Sequence, residues 1–599
     1  MHLKYINLLF LLILELQINA QHFDWAASGS NIFSGFHTSC ITHDGRLVAG
    51  VNYEPTYLGG VPSFYAGNGN EFEIESNQKQ ALVVSYNNLG NIEWIIDYKI
   101  FGRDSKVLGL TAKSNGEIVV AYTSGYINRD IIYVTPNEND KTKRYSGNYV
   151  FFSIIDIDGN VKSTFASTGL RQIDWMSFEY SAFDEAFIIA YANHEKTIDF
   201  QGKNRSVGHN YTIKIDKSFK ELWTHKTMYL DETCCSFFIP ACKAIPAKNG
   251  DIYIAGVGRI GVKLDGSKNK IAPILDEVTQ YNKPYESYIA KLNSDGKLLW
   301  VEYSEGKSII NDIKTDGNKV VIGGQINLQK KMFGAKIDTT ENKNAFIASF
   351  DNSGKRKWIQ TFNAAKVDAL SLDNEGNIFA SFSSNRSRVM KPLKIGTDTL
   401  SNTYTNIVIA CFDKKGEYKW SKTSKAMLSR EANMHLHNDD CGNLYLSAEM
   451  WYSLPVNMNI FDAAIVKGKG YGGAPLAARV KTTIPEEVLE INHSLVEIPN
   501  ENSQNACVPI PYPWKMIVFP NPTNGEFSVR VTTSYNDNDV SMELWDLKGA
   551  KIRTLMNARK ISTGIFEERF NVSDLANGVY IIVLKGTGNS VTERLVINK

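Results

Sequence analysis

Apolar and small residues alternate with polar residues in short runs along most of the chain, and a turn ends each run. Residues 344–358, NAFIASFDNSGKRKW, show the pattern: an alternating run, a turn at Asp351 to Gly354, and a second run that contains Trp358. Alternation with a period of two predicts half-buried β-strands, and Gly supplies the positive φ that a tight hairpin turn needs. Each such stretch therefore predicts a β-hairpin.

Copies of this hairpin recur along the chain, with a Trp four residues after the turn Gly. Copies that keep both residues lie at 83–94, 288–300, 346–358 and 409–420. Two further copies are degenerate: residues 151–163 end in Ser163 where Trp is usual, and residues 212–223 have Phe219 where Gly is usual. We expect each Trp to pack between adjacent repeats.

A second kind of hairpin alternates strictly with the first, and has an Asx-Gly turn before a strand of β-branched and small residues. Its copies lie at 43–50, 114–122, 183–191 (without the Gly), 248–256, 315–324, 374–382 and 440–448. Each repeat therefore contains two hairpins. Seven repeats of four strands predict an all-β fold, a seven-bladed β-propeller that closes radially.

The last repeat lacks its own turn-plus-Trp strand, because the strand predicted near 476–481 is followed by TTIPEEV. A matching strand, Phe23-Asp24-Trp25-Ala26, lies close to the N-terminus. We therefore expect the N-terminal strand to complete the last blade, and deletion of residues 21–30 to lower the thermal stability.

The repeat pattern resembles that of secreted bacterial propellers with SBBP-like repeats, over about residues 21–485. Their blades read D-x-x-G-N-x-Y-V-x-G followed by D-x-F-I-A-K-x-D-x-x-G-x-x-x-W, as in NEGNIFASF and NAFIASFDNSGKRKW here. The resemblance implies the propeller fold. It implies little about function, since propellers include both binding proteins and enzymes.

The first 20 residues predict a signal peptide, with Lys4 in a short positive region, the apolar run LLFLLIL, and cleavage after Ala20. No later stretch is long and apolar enough to predict a transmembrane segment.

Export permits disulfides, so among the seven cysteines we expect one local disulfide within Cys234, Cys235 and Cys242, and buried thiols elsewhere. With Lys+Arg 65 against Asp+Glu 64, charge gives no case for a nucleic-acid partner.

The composition changes after residue 481, where Pro, Asn and Glu become frequent and a linker over 486–514 is predicted. Alternating strands resume from residue 515, with turns at Asn524-Gly525, Lys548-Gly549 and Asn577-Gly578. Residues 515–599 therefore predict a small Ig-like β-sandwich.

This second domain resembles the type A C-terminal sorting domain of the type IX secretion system. The resemblance rests on PNP-x-NG, LWDLKG, LANGVY and the closing strand at 594–599. Its motif residues are Pro520, Asn521, Pro522, Gly525, Asp546, Gly549, Gly578 and Tyr580. It implies passage through the periplasm and across the outer membrane, to the medium or the outer cell surface. The implied partners are the type IX machinery and a sortase. The resemblance implies that this domain is removed and that the sortase then attaches the mature protein to a surface lipopolysaccharide.

Candidate catalytic and metal-binding motifs are weak. DIDG at 156–159 lacks the Glu of a calcium loop, and HLHNDD at 435–440 lacks the last His of the similar metallo-hydrolase run. No nucleophile elbow, Walker loop or HExxH motif is present. The sequence thus predicts no catalytic residue, no metal and no cofactor.

The links between the second and third strands of several blades are long, at about 51–80, 125–148, 257–286 and 449–474. They leave one face of the propeller, where binding sites commonly lie. Aromatic residues there suit stacking on sugars or a protein partner. The predicted ligand-binding residues are Tyr57, Tyr65, Tyr285, Trp451 and Tyr452. We interpret the protein as a surface binding module for a glycan or protein; the alternatives are an exported polysaccharide hydrolase or lyase and a structural adhesion component.

Overall fold

The structure is a computed structural model with two compact units, residues 1–496 and 497–599, and its described residues contain no helix. The described residues are 23–30, 36–42, 44–53, 63–66, 71–74, 80–98, 105–123, 149–168, 176–193, 198–200, 203–205, 209–229, 242–259, 262–264, 285–304, 308–326, 331–337, 344–383, 393–396, 398–400, 407–423, 434–439, 442–452, 456–461, 464–468, 472–481, 515–533, 537–546, 550–561, 564–585 and 590–599. The predicted signal peptide and linker lie outside them.

The described part of the first unit forms seven antiparallel sheets of four or more strands. Sheets 1 to 3 comprise Phe36–Ile41, Leu47–Tyr53, Gln80–Tyr86 and Ile92–Tyr98; Lys106–Ala112, Ile118–Thr123, Tyr149–Ile155 and Val161–Thr168; and Ser177–Ser181, Ala186–Asn193, His209–Ile215, Glu221–Tyr229 and Val262–Leu264. Sheets 4 to 6 comprise Lys243–Pro246, Ile252–Arg259, Tyr285–Leu292 and Leu298–Tyr303; Ser308–Thr315, Lys319–Ile326, Ala345–Asp351 and Arg356–Phe362; and Lys366–Leu372, Ile378–Ser383, Val408–Phe412 and Tyr418–Thr423.

Sheet 7 joins strands from both ends of the first unit. Its order is His435–Asn438, Asn443–Tyr452, Gly472–Lys481, Phe23–Ser30, Ser63–Tyr65 and Glu71–Glu73. Phe23–Ser30 pairs with Gly472–Lys481 in antiparallel register, with Ala27 opposite Ala477. The N-terminal strand thus takes the fourth position of this sheet, where the last repeat was expected to need it.

Four two-stranded ribbons accompany these sheets. They are Ile198–Phe200 with Lys203–Arg205, Lys331–Met332 with Ala335–Lys336, Leu393–Ile395 with Asp398–Leu400, and Val456–Phe461 with Ala464–Gly468.

The first strands of the seven sheets are neighbours in a closed cycle, which runs from sheet 1 to sheet 7 and back to sheet 1. We call them the inner strands. Within each sheet the first four strands follow one another as a meander, apart from the N-terminal strand of sheet 7. This is the arrangement of a β-propeller. The count of seven blades stays a prediction, since no solved relative tests it.

Indole rings join successive sheets, as the sequence predicted. The rings of Trp94, Trp223, Trp300 and Trp358 each lie on the turn Gly of the next sheet, at Gly159, Gly296, Gly354 and Gly416. Indole N–H groups also donate to the same turns: Trp223 to the carbonyl of Ser294 at 2.9 Å, and Trp300 to that of Asn352 at 2.9 Å. Each Gly has positive φ, so the recurring spacing of Gly and Trp within the chain serves both the turn and the contact between sheets.

The two degenerate repeats compensate for each other. Where Ser163 replaces Trp in sheet 2, Phe219 replaces the Gly of the facing turn in sheet 3 and is 4% exposed. Its ring centroid lies 4.7 Å from that of Phe165 in sheet 2 and 4.9 Å from that of Phe152. A side chain on the turn thus fills the space that an indole fills elsewhere, and Phe219 accepts a φ of 60° to do so.

The cysteines of the described residues are free. Cys40, Cys242 and Cys411 are buried thiols. The predicted local disulfide therefore does not include Cys242, whose sulfur lies 3.6 Å from the hydroxyl oxygen of Tyr288. Cys234 and Cys235 lie outside the described residues.

The second unit is a sandwich of two antiparallel sheets, as predicted. One sheet has the order Lys515–Phe519, Glu526–Thr533 and Gly564–Asn571; the other has Lys551–Ile561, Asp537–Asp546, Gly578–Lys585 and Ser590–Ile597. Inward-facing residues from both sheets, including Val529, Leu544 and Ile582, form its core.

Candidate functional site

The predicted aromatic site residues lie at one end of the sheets, as far as the backbone describes them. In every sheet the long link joins the second strand to the third, so all seven links leave the same end, opposite the tight turns. Trp451 and Tyr452 end a second strand, opposite Gly473 and Gly472, and Tyr285 begins a third strand. Tyr65 ends a short strand that pairs with the N-terminal strand. We call this the link end. Tyr57 lies outside the described residues.

A second location, which sequence reasoning missed, is a polar cavity between the inner strands. Inner strands of six sheets line it, and its volume is about 50 Å³. The polar side chains that line it include Thr38, Ser39, Ser177, Glu179, Lys243, Asp312, Lys314, His435 and His437. We call it the central cavity.

Asp312 is the most constrained carboxylate of the central cavity, at 3% exposure. Its Oδ1 lies 2.9 Å from Lys243 Nζ, and its Oδ2 accepts a hydrogen bond of 2.8 Å from the backbone N–H of Leu370 in sheet 6. Lys314 Nζ is 3.9 Å from Oδ2. Burial raises the pKa of Asp312, but the charges of Lys243 and Lys314 and the Leu370 hydrogen bond outweigh it and hold the pKa below its usual value. Asp312 is therefore ionised and joins three sheets.

The two histidines of the sequence motif HLH are held by sheet 1. His435 Nε2 lies 3.1 Å from the carbonyl oxygen of His37, so Nε2 carries the proton. His437 Nε2 lies 2.8 Å from Ser39 Oγ, which lies 2.7 Å from Ser447 Oγ. Burial, followed by the charge of Lys243, lowers the pKa of His435 to about 3. Burial, followed by the charge of Lys314, lowers the pKa of His437 well below its usual value. Both imidazoles are neutral at pH 7.

Glu179 differs from Asp312 because its side-chain carboxyl group has no hydrogen bond or ion pair within the described part of the chain. Burial raises its pKa above the usual value, and Asp312 adds to this effect while Lys314 and Lys243 act against it. The cavity thus contains one ionised carboxylate in a network and one unpartnered carboxyl group.

The chemistry of this arrangement is that of a small polar binding site. A cavity of about 50 Å³ holds a few water molecules or a group of a few heavy atoms, whereas pockets for drug-sized ligands have about 300 Å³ or more. Among the described residues, no group of three or more His, Cys, Asp or Glu has the arrangement of a metal site. His435 and His437, the two histidines of the HLHNDD run, bond to sheet 1.

A sequence signal for the central cavity exists. Lys243, Asp312 and His435 lie at matching positions of first strands, where other repeats have small residues such as Ala369 and Gly109. A charged or imidazole side chain at such an inner position has to lie near its counterparts from other repeats, because the inner strands meet at the centre.

In the second unit, the motif residues tie the ends of the domain together. The Asn521 side chain accepts a hydrogen bond of 2.8 Å from the N–H of Val596 and donates to the carbonyl of Arg594. A Cβ on Gly525, where φ is +121°, would lie 2.6 Å from Ser573 Cα. Pro520 and Pro522 flank Asn521 on the loop that follows the first strand.

The other motif residues close turns. Asp546 Oδ1 accepts a hydrogen bond of 2.8 Å from the N–H of Ala550, the residue after Gly549. The Tyr580 hydroxyl donates to the carbonyl of Ala576 at 3.0 Å, beside Gly578. Gly549 itself lies outside the described residues.

Comparison with protein families gives a match for the second unit. Residues 517–598 match the family described as secretion system C-terminal sorting domain. A search of curated proteins finds no match.

Solved structures give distant similarities. A structure described as the Dos1 propeller is 10% identical, over 75% of this chain and 94% of that chain, with a TM-score of 0.34. Dimeric latent PorU from Porphyromonas gingivalis is 8% identical, over 84% and 33%, with a TM-score of 0.13. Activated alpha-2-macroglobulin from Escherichia coli is 7% identical, over 96% and 49%, with a TM-score of 0.10. All three TM-scores are below 0.5, and the propeller arrangement follows from the strand order of the sheets.

Within the described residues, no helix is long and apolar enough to cross a membrane. A sorting domain of this family marks a protein for the type IX secretion system, which delivers it to the cell surface or the medium. Residues 517–598 form a secretion system C-terminal sorting domain, and the chain is a type IX-exported surface or secreted protein with a propeller-like fold.

Proposed function

We propose that the propeller is a binding module, displayed or released by the type IX pathway, which binds a glycan or protein ligand at the link end. The observation that carries the proposal is the strand order. All seven links between second and third strands leave the same end of the sheets, whereas the opposite end has turns of at most five residues. A surface formed by long links around a rigid sheet scaffold is typical of binding sites.

The positions of the aromatic residues support a site at this end. Trp451, Tyr452, Tyr65 and Tyr285 have their backbones at or next to the links. Aromatic side chains bind sugar rings and protein partners with large apolar area and few rotatable bonds. These residues, together with Tyr57, are therefore the ones to vary first.

The hydrolase alternative receives less support. A polysaccharide hydrolase uses two carboxyl groups that reach the glycosidic bond from either side. The two carboxyl residues of the central cavity are Glu179 and Asp312, but Asp312 is 3% exposed and bound to Lys243 and a backbone N–H. The cavity is also too small for a sugar ring.

The experiment incubates the purified protein with insoluble and soluble polysaccharides and scores retention and released fragments together. We expect retention without fragments, and at least tenfold weaker retention for the W451A/Y452A variant. The matched control is L222A/L299A, which removes exposed apolar side chains at the turn end, 55% and 53% exposed. Released fragments would contradict the binding module and support the hydrolase. Equal loss in both double variants would contradict a site at the link end. If no polysaccharide is retained, a protein ligand is the remaining form of the proposal, tested by cross-linking on intact cells.

The processing of the sorting domain is a further part of the proposal. We infer that this domain is removed after export and that a sortase attaches the mature chain to a surface lipopolysaccharide. The mass of the chain recovered from the cell surface tests both steps. A mass that still includes residues 515–599 would contradict removal, and the unmodified mass of the cleaved chain would contradict attachment.

A further inference from the structure

The charges of the central cavity do not balance among its ionised groups. Lys243 and Lys314 both line it, and Asp312 is the carboxylate that contacts them. The Nζ atom of Lys243 lies 2.9 Å from Asp312 Oδ1, whereas that of Lys314 lies 3.9 Å from Oδ2. The Lys314 ammonium group donates no hydrogen bond to any described residue. Asp312 also accepts hydrogen bonds from two backbone N–H groups, of Ile313 and Leu370. Its charge is therefore shared, and Lys314 remains weakly compensated.

Glu179 is the other acidic residue that lines the cavity, and it does not neutralise Lys314. No described atom lies within ion-pair distance of its carboxyl group, although Lys314 and Lys243 are near enough to affect its titration. Burial favours its neutral form. The weakly compensated ammonium group of Lys314 and the carboxyl group of Glu179 thus line the same small cavity.

The other polar groups of the lining are neutral. His435 and His437 are neutral imidazoles bonded to sheet 1, and Ser39 bridges His437 and Ser447. None of these groups supplies a negative charge to Lys314.

We propose that the central cavity is a carboxylate-binding site, in which Lys314 binds a single carboxylate group against the neutral histidines and Glu179. A volume of about 50 Å³ suits a carboxylate and excludes the ring that carries it. The group can come from a small free acid or from an acidic sugar whose ring stays outside the cavity. The inference does not rest on the link-end binding site and stands if that site is disproved.

A cation would bind to the same cavity through different groups, so variants of these groups distinguish a bound cation from a bound carboxylate. A bound cation needs the negative charge of Glu179, so a neutral side chain there abolishes binding. A bound carboxylate is repelled by that charge, so a neutral side chain leaves binding unchanged or strengthens it.

The test titrates the purified full-length protein with ¹³C-labelled acetate, D-glucuronate or glucose, followed by ligand NMR. We expect saturable acetate binding at pH 7, at least tenfold weaker in K314Q and retained in K314R. E179Q should bind acetate as well as, or better than, the unchanged protein. The surface control is K217Q, whose side chain is 73% exposed. Thermal unfolding of each variant shows whether it is folded, and K314R keeps the test valid if K314Q is not.

The glucuronate arm distinguishes the two sources of the carboxylate. Binding of both acids points to an acidic glycan, and binding of acetate alone points to a small free acid. The proposal is wrong if the unchanged protein binds neither acid, if K314Q binds acetate as well as K217Q does, or if glucose binds equally. Loss of acetate binding in E179Q with retention in K314Q would also contradict the proposal, because Glu179 and not Lys314 would then determine binding.

Discussion

The indole of Trp300 lies on Gly354 of the next sheet, with its N–H bonded to the carbonyl oxygen of Asn352 at 2.9 Å. A Cβ on Gly354 would lie 2.7 Å from the indole Cδ2 atom. The repeat therefore spaces Gly and Trp for a contact between repeats as well as for a turn within one. Neighbouring sheets are joined at their outer strands by this contact and at the centre by the inner strands.

Replacement of Gly354 by Ala is expected to destabilise the protein more than the same change at Gly116. Both glycines have φ near +84°, at +84° and +83°, so both substitutions incur the cost of a left-handed conformation, about 1–2 kcal/mol. No atom lies within 4 Å of a Cβ on Gly116, whereas a Cβ on Gly354 meets Trp300. We expect G354A to cost about 1–3 kcal/mol more in the free energy of unfolding.

Urea unfolding of G354A and G116A measures this difference, and W300A provides the cross-check. W300A alone should cost about 3 kcal/mol, because the ring is half-buried. In the W300A background the excess cost of G354A should disappear. Equal losses for G354A and G116A would show that the indole does not rest on the turn.

Ser163 and Phe219 are expected to behave as an exchanged pair. F219G alone should cost about 3–5 kcal/mol, because it removes a ring stacked on Phe187 and Phe152. S163W alone should also destabilise, since Phe219 already fills the space. The double variant S163W/F219G restores the usual Trp and Gly, and should be more stable than F219G. A double-mutant cycle measures the coupling, and additive effects would contradict the exchange.

Acid is expected to destabilise the propeller through His435 and His437. The folded-state pKa of both residues is lowered, to about 3 for His435. The unfolded chain therefore binds more protons than the folded protein between about pH 6.5 and pH 3. The free energy of unfolding is unaffected by these histidines above pH 6.5 and decreases as the pH falls through that window. Glu179, whose pKa is raised above 4.5, acts in the opposite direction, because the folded state binds its proton first as the pH falls towards 4.5.

The H435Q variant isolates one of these contributions, because the Gln amide can still donate to the carbonyl of His37. Urea unfolding at pH 7, 6 and 5 should show a smaller loss of stability on acidification in H435Q than in the unchanged protein. An identical pH dependence would mean that folding does not lower the pKa of His435.

Asn521 is expected to be needed for export because it holds the last strand of the sorting domain. N521A removes hydrogen bonds to Val596 and Arg594, and should cost this domain about 1–2 kcal/mol. We expect more of the chain in the periplasm and less on the surface or in the medium, measured by fractionation. E593A, a change at an exposed residue of the same strand, is the control. Normal export of N521A would separate the motif residue from sorting.

The fold was predictable because its signals are local. Each hairpin needs a Gly turn and alternating residues within about ten positions, and the missing strand of the last repeat has a matching strand at Phe23–Ser30. The Trp contacts also followed from a fixed spacing. The disulfide prediction failed at Cys242, because sequence proximity does not show that a thiol faces the core.

The central cavity was not predictable in the same way, because no repeat contributes more than two of the polar side chains that line it. Glu179, Asp312 and His437 are far apart in sequence, and each was consistent with an ordinary strand position. Only the cycle of inner strands brings them together. The link-end aromatics stay a prediction, since the hairpin pattern does not specify the links beside which Trp451, Tyr452 and Tyr285 lie.

Closure of the ring by the N-terminal strand is the central claim, and a cross-link tests it most directly. Ala27 and Ala477 are opposite each other on paired strands, and both are buried. The A27C/A477C variant should form a disulfide under mild oxidation, detected by mass spectrometry as a peptide pair that joins the two strands. The off-register variant A27C/V480C should not, because Val480 is opposite Phe23, about 10 Å along the strand. Cross-linking of A27C/A477C alone is the predicted result; no cross-link in that variant, or equal cross-linking in both, would contradict the closed ring.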